Sequence, residues 1–148
     1  SGKEKKVRKM IEETSAGIVL FRKEESKKLF LLLHYPSGHW DFVKGKMEKG
    51  ETTHETAIRE TGEETGITDI TFVENFEEWI EYNFKYKKEL VQKKVVFFLA
   101  ETKTQEVKIS HEHSGYTWMD YNTAMEKTTF DNAKTVLRKA QKLISETL

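Results

Sequence analysis

Cysteine is absent from this chain of 148 residues. Its absence excludes a disulfide framework and any thiolate metal site, and it fits an intracellular, cytoplasmic protein. Net charge is missing too, because Lys plus Arg and Asp plus Glu number 25 each. A neutral overall field gives no basis for generic attachment to DNA, RNA or an anionic membrane, so any phosphate binding has to be local. Neither a stable nucleic-acid partner nor a membrane partner is expected. No apolar run reaches the roughly 18 residues that a membrane span needs, and no signal-peptide pattern is visible. Repeats, low-complexity tracts and linkers are lacking as well. A chain of this length buries about two thirds of its unfolded surface in one core, so residues 1–148 are expected to form a single domain acting as a monomer. The segment 1–10, basic from Lys3 to Lys9, is expected to be a mobile, solvated terminus.

What the chain does have is a concentrated stretch from Gly45 to Ile67. Its first half, Gly45 to Glu51, reads as a loop, with two glycines around charged residues. Thr52 and Glu55 then form a capping-box pattern that opens a helix, and Gly66 closes it as a left-handed cap. Inside the helix Glu60, Glu63 and Glu64 are spaced three and four apart, which at about 100° per residue puts them on one face. Like charges so placed repel, and the helix dipole disfavours them near its C-terminus. A hard divalent cation such as Mg²⁺ offsets both effects and bridges to substrate phosphates. A solvated acidic face is the competing reading.

Around that helix the hydrophobic pattern predicts strands. Ala16 to Phe21 and Leu29 to Leu33 read as an antiparallel hairpin turning within Arg22 to Lys28, and His39 to Val43 as a short extended piece. A strand region from Ile70 through Phe84 precedes a hairpin tip at Lys85 to Lys88 and a return strand from Lys94 to Ala100. Val107 to Ile109 reads as a short edge strand and Tyr116 to Met119 as a final one. Apolar residues from Phe130 to Ile144 recur with helical period and predict an amphipathic closing helix. The pattern is that of an α/β (α+β) fold, a mixed β-sheet sandwiched between helices.

The loop and helix together resemble the signature of the Nudix hydrolases: Gly45, five residues, Glu51, seven residues, Arg59, Glu60, then Glu63, Glu64, Gly66 and Ile67. Thr61 departs from the usual aliphatic residue, but its methyl can pack and its hydroxyl can bond back into the helix. The resemblance implies a metal-dependent pyrophosphohydrolase using Mg²⁺, or Mn²⁺. Glu60 and Glu64 would be the leading metal ligands, with Glu63 a third and the Gly45 carbonyl a further one. Arg59 would orient one of the glutamates. Glu51 reads as a stabiliser of the loop or of the helix N-terminus. A carboxylate from outside the motif is also expected, and Glu112 is the candidate as metal ligand or base.

Beyond the motif, the chain resembles the asymmetrical diadenosine tetraphosphate hydrolases of animal and archaeal type. The similarity lies in Phe30 to Leu33, His39-Trp40, Lys44-Gly45, Ala57 to Thr61, Phe98 to Glu101, Ser110 to His113, Tyr116 and Trp118. Phe42-Val43 stands where that group usually has proline before Lys-Gly, and Trp79 to Leu90 has no obvious counterpart. The implied partner is a small-molecule dinucleoside polyphosphate, contacted by Lys44, Tyr82, Lys94, His111, His113 and Tyr116. Capped RNA 5′ ends, nucleoside triphosphates and diphosphoinositol phosphates share the same reacting group, and a non-catalytic nucleotide-binding module is the reading from another class.

Overall fold

In the computed structural model, residues 10–147 are described, and the expectation for Lys3 to Lys9 falls outside them. Met10, assigned to the mobile terminus from sequence, instead begins a long strand, β1 (Met10–Glu24), and faces Leu90. The other strands are β2 (Lys27–His34), β3 (Trp40–Asp41), β4 (Val43–Lys46), β5 (Thr71–Phe72), β6 (Glu78–Tyr86), β7 (Glu89–Glu101) and β8 (Gly115–Met119). They form one mixed eight-stranded sheet. Its centre is the parallel pair β1 and β7, in register from Met10 with Leu90 to Phe21 with Glu101. Both strands carry long apolar runs, as strands covered on both faces require.

Alternation along these strands sorts the core into two layers. Val19, Phe21, Leu32, Phe42, Val95 and Phe97 face helix α3 (Asp131–Thr147) and Ala124 of α2 (Tyr121–Lys127). Ile18, Leu20, Leu33, Val43, Val96 and Phe98 face Ala57 of helix α1 (Thr53–Thr65). The sheet is therefore sandwiched between helices. None of the described helices is long and apolar enough to cross a membrane.

The sheet forks where the site is built. β1 pairs with β2 only from Phe21 to Glu24, and farther back, from Ser15 to Ile18, with β4. β2 in turn leaves β1 and pairs with β3 through Leu33 and His34. The segment from Trp40 to Lys46 thus fills the gap between the diverging strands. Gly17 permits the fit, because a Cβ there would collide with the Val43 carbonyl and Lys44.

Several sequence expectations shift. Gly45 and Lys46, read as loop, are strand residues opposite Ala16 and Ser15. The β1–β2 turn tightens to Glu25-Ser26, with Glu25 at φ +57°. The β6–β7 tip is Lys87-Lys88, both at positive φ, so the return strand starts at Glu89 instead of Lys94. Val107 to Ile109 forms no strand. Its backbone is used otherwise: the Lys108 N–H donates to the Thr65 carbonyl at the end of α1. Helix α2 was not anticipated. Its signal was Asp120, whose carboxylate accepts from the Thr123 N–H as an N-cap.

Candidate active site

Helix α1 begins and ends as its sequence dictates. The Thr52 hydroxyl accepts from the Glu55 N–H at 3.1 Å, and the Glu55 carboxylate accepts from the Thr52 N–H at 2.9 Å. Gly66 takes φ +76° and closes the helix on the Gly62 carbonyl. Thr61 is fully buried and donates its hydroxyl to the Ala57 carbonyl, four residues back, at 2.7 Å. Its unusual identity is accommodated inside the helix.

On one side of α1, Glu60, Glu63 and Glu64 each offer an oxygen within 4.8 Å of the others. They differ in depth: Glu64 is buried, Glu60 half-buried and Glu63 exposed. Burial raises the Glu60 carboxyl above its ordinary range; Arg59 opposes this, while Glu63 and Glu64 reinforce it. Gly45 lies directly against Glu60, since a Cβ there would overlap the carboxylate. Bare backbone is what that contact requires.

Arg59 ties loop, strand and helix together. It donates to both Glu51 oxygens, at 2.7 and 3.0 Å, to Glu60 at 2.8 Å, to Glu63 at 3.2 Å and to the Lys46 carbonyl at 2.9 Å. Glu51 also accepts from the Glu48 N–H and the Thr56 hydroxyl. These bonds, led by Arg59, lower its pKa to about 2. Glu51 thus bonds within the loop, as one of the two roles expected from sequence, and in addition fixes Arg59.

The loop after residue 107 reaches the same helix. Glu64 Oε2 accepts from the Ser110 hydroxyl at 2.6 Å and sits 2.8 Å from His113 Nδ1. His113, expected to touch substrate, is instead buried behind Glu64. His111 and Glu112 are exposed, and Glu112 lies outside the carboxylate cluster. Ser110 carries no signal of this role in the sequence beyond its place in the run with His111 and His113.

On the other face of the sheet a cleft of about 430 Å³ is lined by His39, Asp41, Lys44, Tyr82, Phe130 and Asn132, among others. Lys44 pairs with the buried Asp41 at 3.2 Å. Tyr82 and Phe130 stand 40% and 49% exposed, so both rings are open to a ligand. Tyr35 lies behind the cleft, stacked on His39 at 4.7 Å, with its hydroxyl donating to the Phe42 carbonyl. Burial raises its pKa well above the usual value, and the charges of Asp41, Glu64 and Glu60 add to the effect. Tyr116 is exposed on β8 opposite Leu33, away from that lining, and Trp40 is occupied between His34 and Lys127. Across the β6–β7 pair Tyr82 faces Lys93, not Lys94, so by alternation Lys94 lies on the opposite face, near Glu81. Phe130 was missed as a wall because its helical spacing read as core.

The NUDIX domain family model matches residues 12–140. The chain belongs to that family. Nudix hydrolases generally use a divalent metal, and the trio on α1 supplies hard oxygen donors of the kind such an ion takes. Among relatives, the mouse protein named bis(5'-nucleosyl)-tetraphosphatase [asymmetrical] is 33% identical over 145 residues, 90% of this chain and 96% of its own. Its Caenorhabditis elegans namesake is 36% identical over 130 residues, covering 84% and 91%. A crystal structure titled as a C. elegans Ap4A hydrolase binary complex superposes with a TM-score of 0.77 at 31% identity, over 90% of this Nudix chain and 98% of that one.

Proposed function

We propose that this Nudix protein hydrolyses diadenosine tetraphosphate, with water cleaving one phosphoanhydride to give ATP and AMP. The reading rests on the pairing of a carboxylate trio beside bare backbone with an open, aromatic-walled cleft carrying Lys44. The names of the mouse and C. elegans relatives, matched over most of their own length, support the same substrate.

Glu60, Glu63, Glu64 and the Gly45 carbonyl would hold Mg²⁺, with Mn²⁺ as an alternative. When bound, that ion supplies Lewis-acid stabilisation of charge developing on phosphate oxygens. The chain's own residues do the rest. Arg59 holds Glu60 and Glu63 in place, and Glu51 holds Arg59. A carboxylate takes the proton from the attacking water, either one of the helix trio or the exposed Glu112 outside it. Tyr82 and Phe130 stack on a nucleobase, a contact worth about 1–3 kcal/mol. Lys44 offers a cation to the phosphate chain at the mouth of the cleft. The protein acts as a cytoplasmic monomer on a small molecule.

Product analysis in ¹⁸O-labelled water tests this, with Mg²⁺ and diadenosine tetraphosphate beside a nucleoside triphosphate and a triphosphorylated RNA. ATP and AMP from the dinucleotide, in preference to cleavage of the others, are expected. Cleavage of the RNA or the triphosphate alone would overturn the substrate, and no cleavage at all would favour a binding module.

A further inference from the structure

Glu64 is the deepest of the three clustered carboxylates, and its two oxygens are not equivalent. Oε2 accepts the Ser110 hydroxyl at 2.6 Å and faces His113 Nδ1 at 2.8 Å, while Ser110 and His113 are 3.3 Å apart. Among the described residues, none donates a hydrogen bond to Oε1. The two partners come from one short segment docked on the end of α1. Its backbone adds bonds from the Lys108 N–H to the Thr65 carbonyl and from the Ser110 N–H to the Glu64 carbonyl. Within the segment, the His113 N–H bonds the Ser110 carbonyl. His113 is held from another side by the edge of Tyr35, with ring centroids 4.7 Å apart. Its side chain is 3% exposed, so its ring is closed to substrate.

We infer that His113 and Ser110 are positioning residues for the metal ligand Glu64, clamping one oxygen so that the other is presented in a single orientation to the cation. The inference rests on the proposed metal site. A free glutamate on a helix samples several rotamers and loses that freedom on binding an ion. A carboxylate oxygen already held by the Ser110 hydroxyl and in contact with the His113 imidazole nitrogen has lost it beforehand, and outer partners of this kind typically change metal affinity 10–100-fold. In this arrangement the segment that carries the exposed Glu112 also sets the geometry of the buried ligand. Displacing it would weaken metal binding without any contact between His113 and the ion.

The test is a Mn²⁺ titration of the folded protein followed by electron paramagnetic resonance, with steady-state kinetics over a range of Mg²⁺ concentrations. His113→Leu keeps the volume and removes the donor. It is expected to raise the Mn²⁺ dissociation constant about 10-fold and to shift Mg²⁺ activation alike, leaving the KM for dinucleotide at saturating Mg²⁺ within twofold. His113→Asn, which restores an N–H near Nδ1, should recover most of the affinity. A folded His113→Leu that binds Mn²⁺ like the parent would overturn the inference. If His113→Leu does not fold, Ser110→Ala decides in the same assay, since Ser110 is only half-buried. Glu64→Gln separates the two levels. If it alone loses Mn²⁺, the metal site stands and the clamp fails; if it binds Mn²⁺ normally, both fall.

Discussion

Arg59 meets Glu51 through two parallel hydrogen bonds, Nε to Oε2 at 2.7 Å and Nη2 to Oε1 at 3.0 Å. The planar fork leaves Nη1 free for Glu60 and Glu63. One side chain therefore spans the loop entering α1 and the acidic face at its far end. A lysine cannot reproduce a fork. Arg59→Lys is expected to lower kcat about 10–100-fold with little loss of secondary structure, as circular dichroism beside steady-state kinetics will show. Activity within threefold of the parent would remove the Arg59 bridge from the mechanism.

The same pair predicts an acid-stability signature. Glu51 has its pKa lowered to about 2 in the folded chain, below the ordinary 4.5. A lowered carboxyl stabilises the fold above the unfolded value, and that contribution fades as pH falls from about 4.5 toward 2. Glu51→Gln should show a flatter fall of Tm across that window than the parent. Parallel curves would mean that the pair does not contribute.

Removing a cluster carboxylate should abolish chemistry and spare the fold. Glu64→Gln and Glu60→Gln are expected to reduce turnover at least about 100-fold, because each removes a hard donor without removing volume. Glu112→Gln, outside the cluster, should cost less. Equal damage from Glu112→Gln would instead assign that loop carboxylate to proton transfer.

Gly45→Ala should be as harmful as losing a ligand, for a steric reason. The new methyl would overlap the Glu60 carboxylate, so either Glu60 leaves its place or β4 moves off β1. Titration with Mn²⁺ and a thermal melt distinguish the two outcomes. Unchanged metal affinity and Tm together would contradict the close approach.

Ring removal at the cleft should act on binding. Tyr82→Ala and Phe130→Ala are each expected to raise the KM for dinucleotide about 5- to 150-fold, the equivalent of 1–3 kcal/mol, with kcat little changed. Tyr116→Ala, outside the cleft lining, should stay within twofold. The reverse ranking would move the nucleobase to β8.

The helix of the site was legible in the sequence almost to the residue, because its signals are local: a capping box, a glycine stop and a three-four spacing. The sheet order was not, since pairing between β1 and β7 depends on residues about 80 apart in the chain. Spacing identified Glu60, Glu63 and Glu64 but could not reveal that Glu64 is buried against Ser110 and His113. That contact joins positions 64 and 113, and no periodicity within either segment encodes it. For this reason the sequence offers His113 as a substrate contact, whereas its ring is buried beside Glu64. Composition cannot tell on which side of β7 Lys94 lies, whereas strand register puts it on the side opposite Tyr82. Phe130 stands just before α3, so its phase matched the core stripe although its ring lies half in the open.

The insertion of β4 between the diverging strands gives Lys44 and Gly45 an unusual relation. Consecutive residues in a strand point to opposite faces, and here one belongs to the cleft and the other abuts Glu60. The strand behaves like a reading frame. Adding or deleting one residue between Pro36 and Val43 that slipped this register would turn the lysine toward the carboxylates and put a side chain in place of the glycine, spoiling base binding and metal geometry in one step. The following turn is just as constrained, because the Glu48 N–H bond to the Glu51 carboxylate and the five-residue spacing from Gly45 to Glu51 set where Glu51 meets Arg59. Length variation among functional relatives should therefore fall outside the stretch from Pro36 to Glu51.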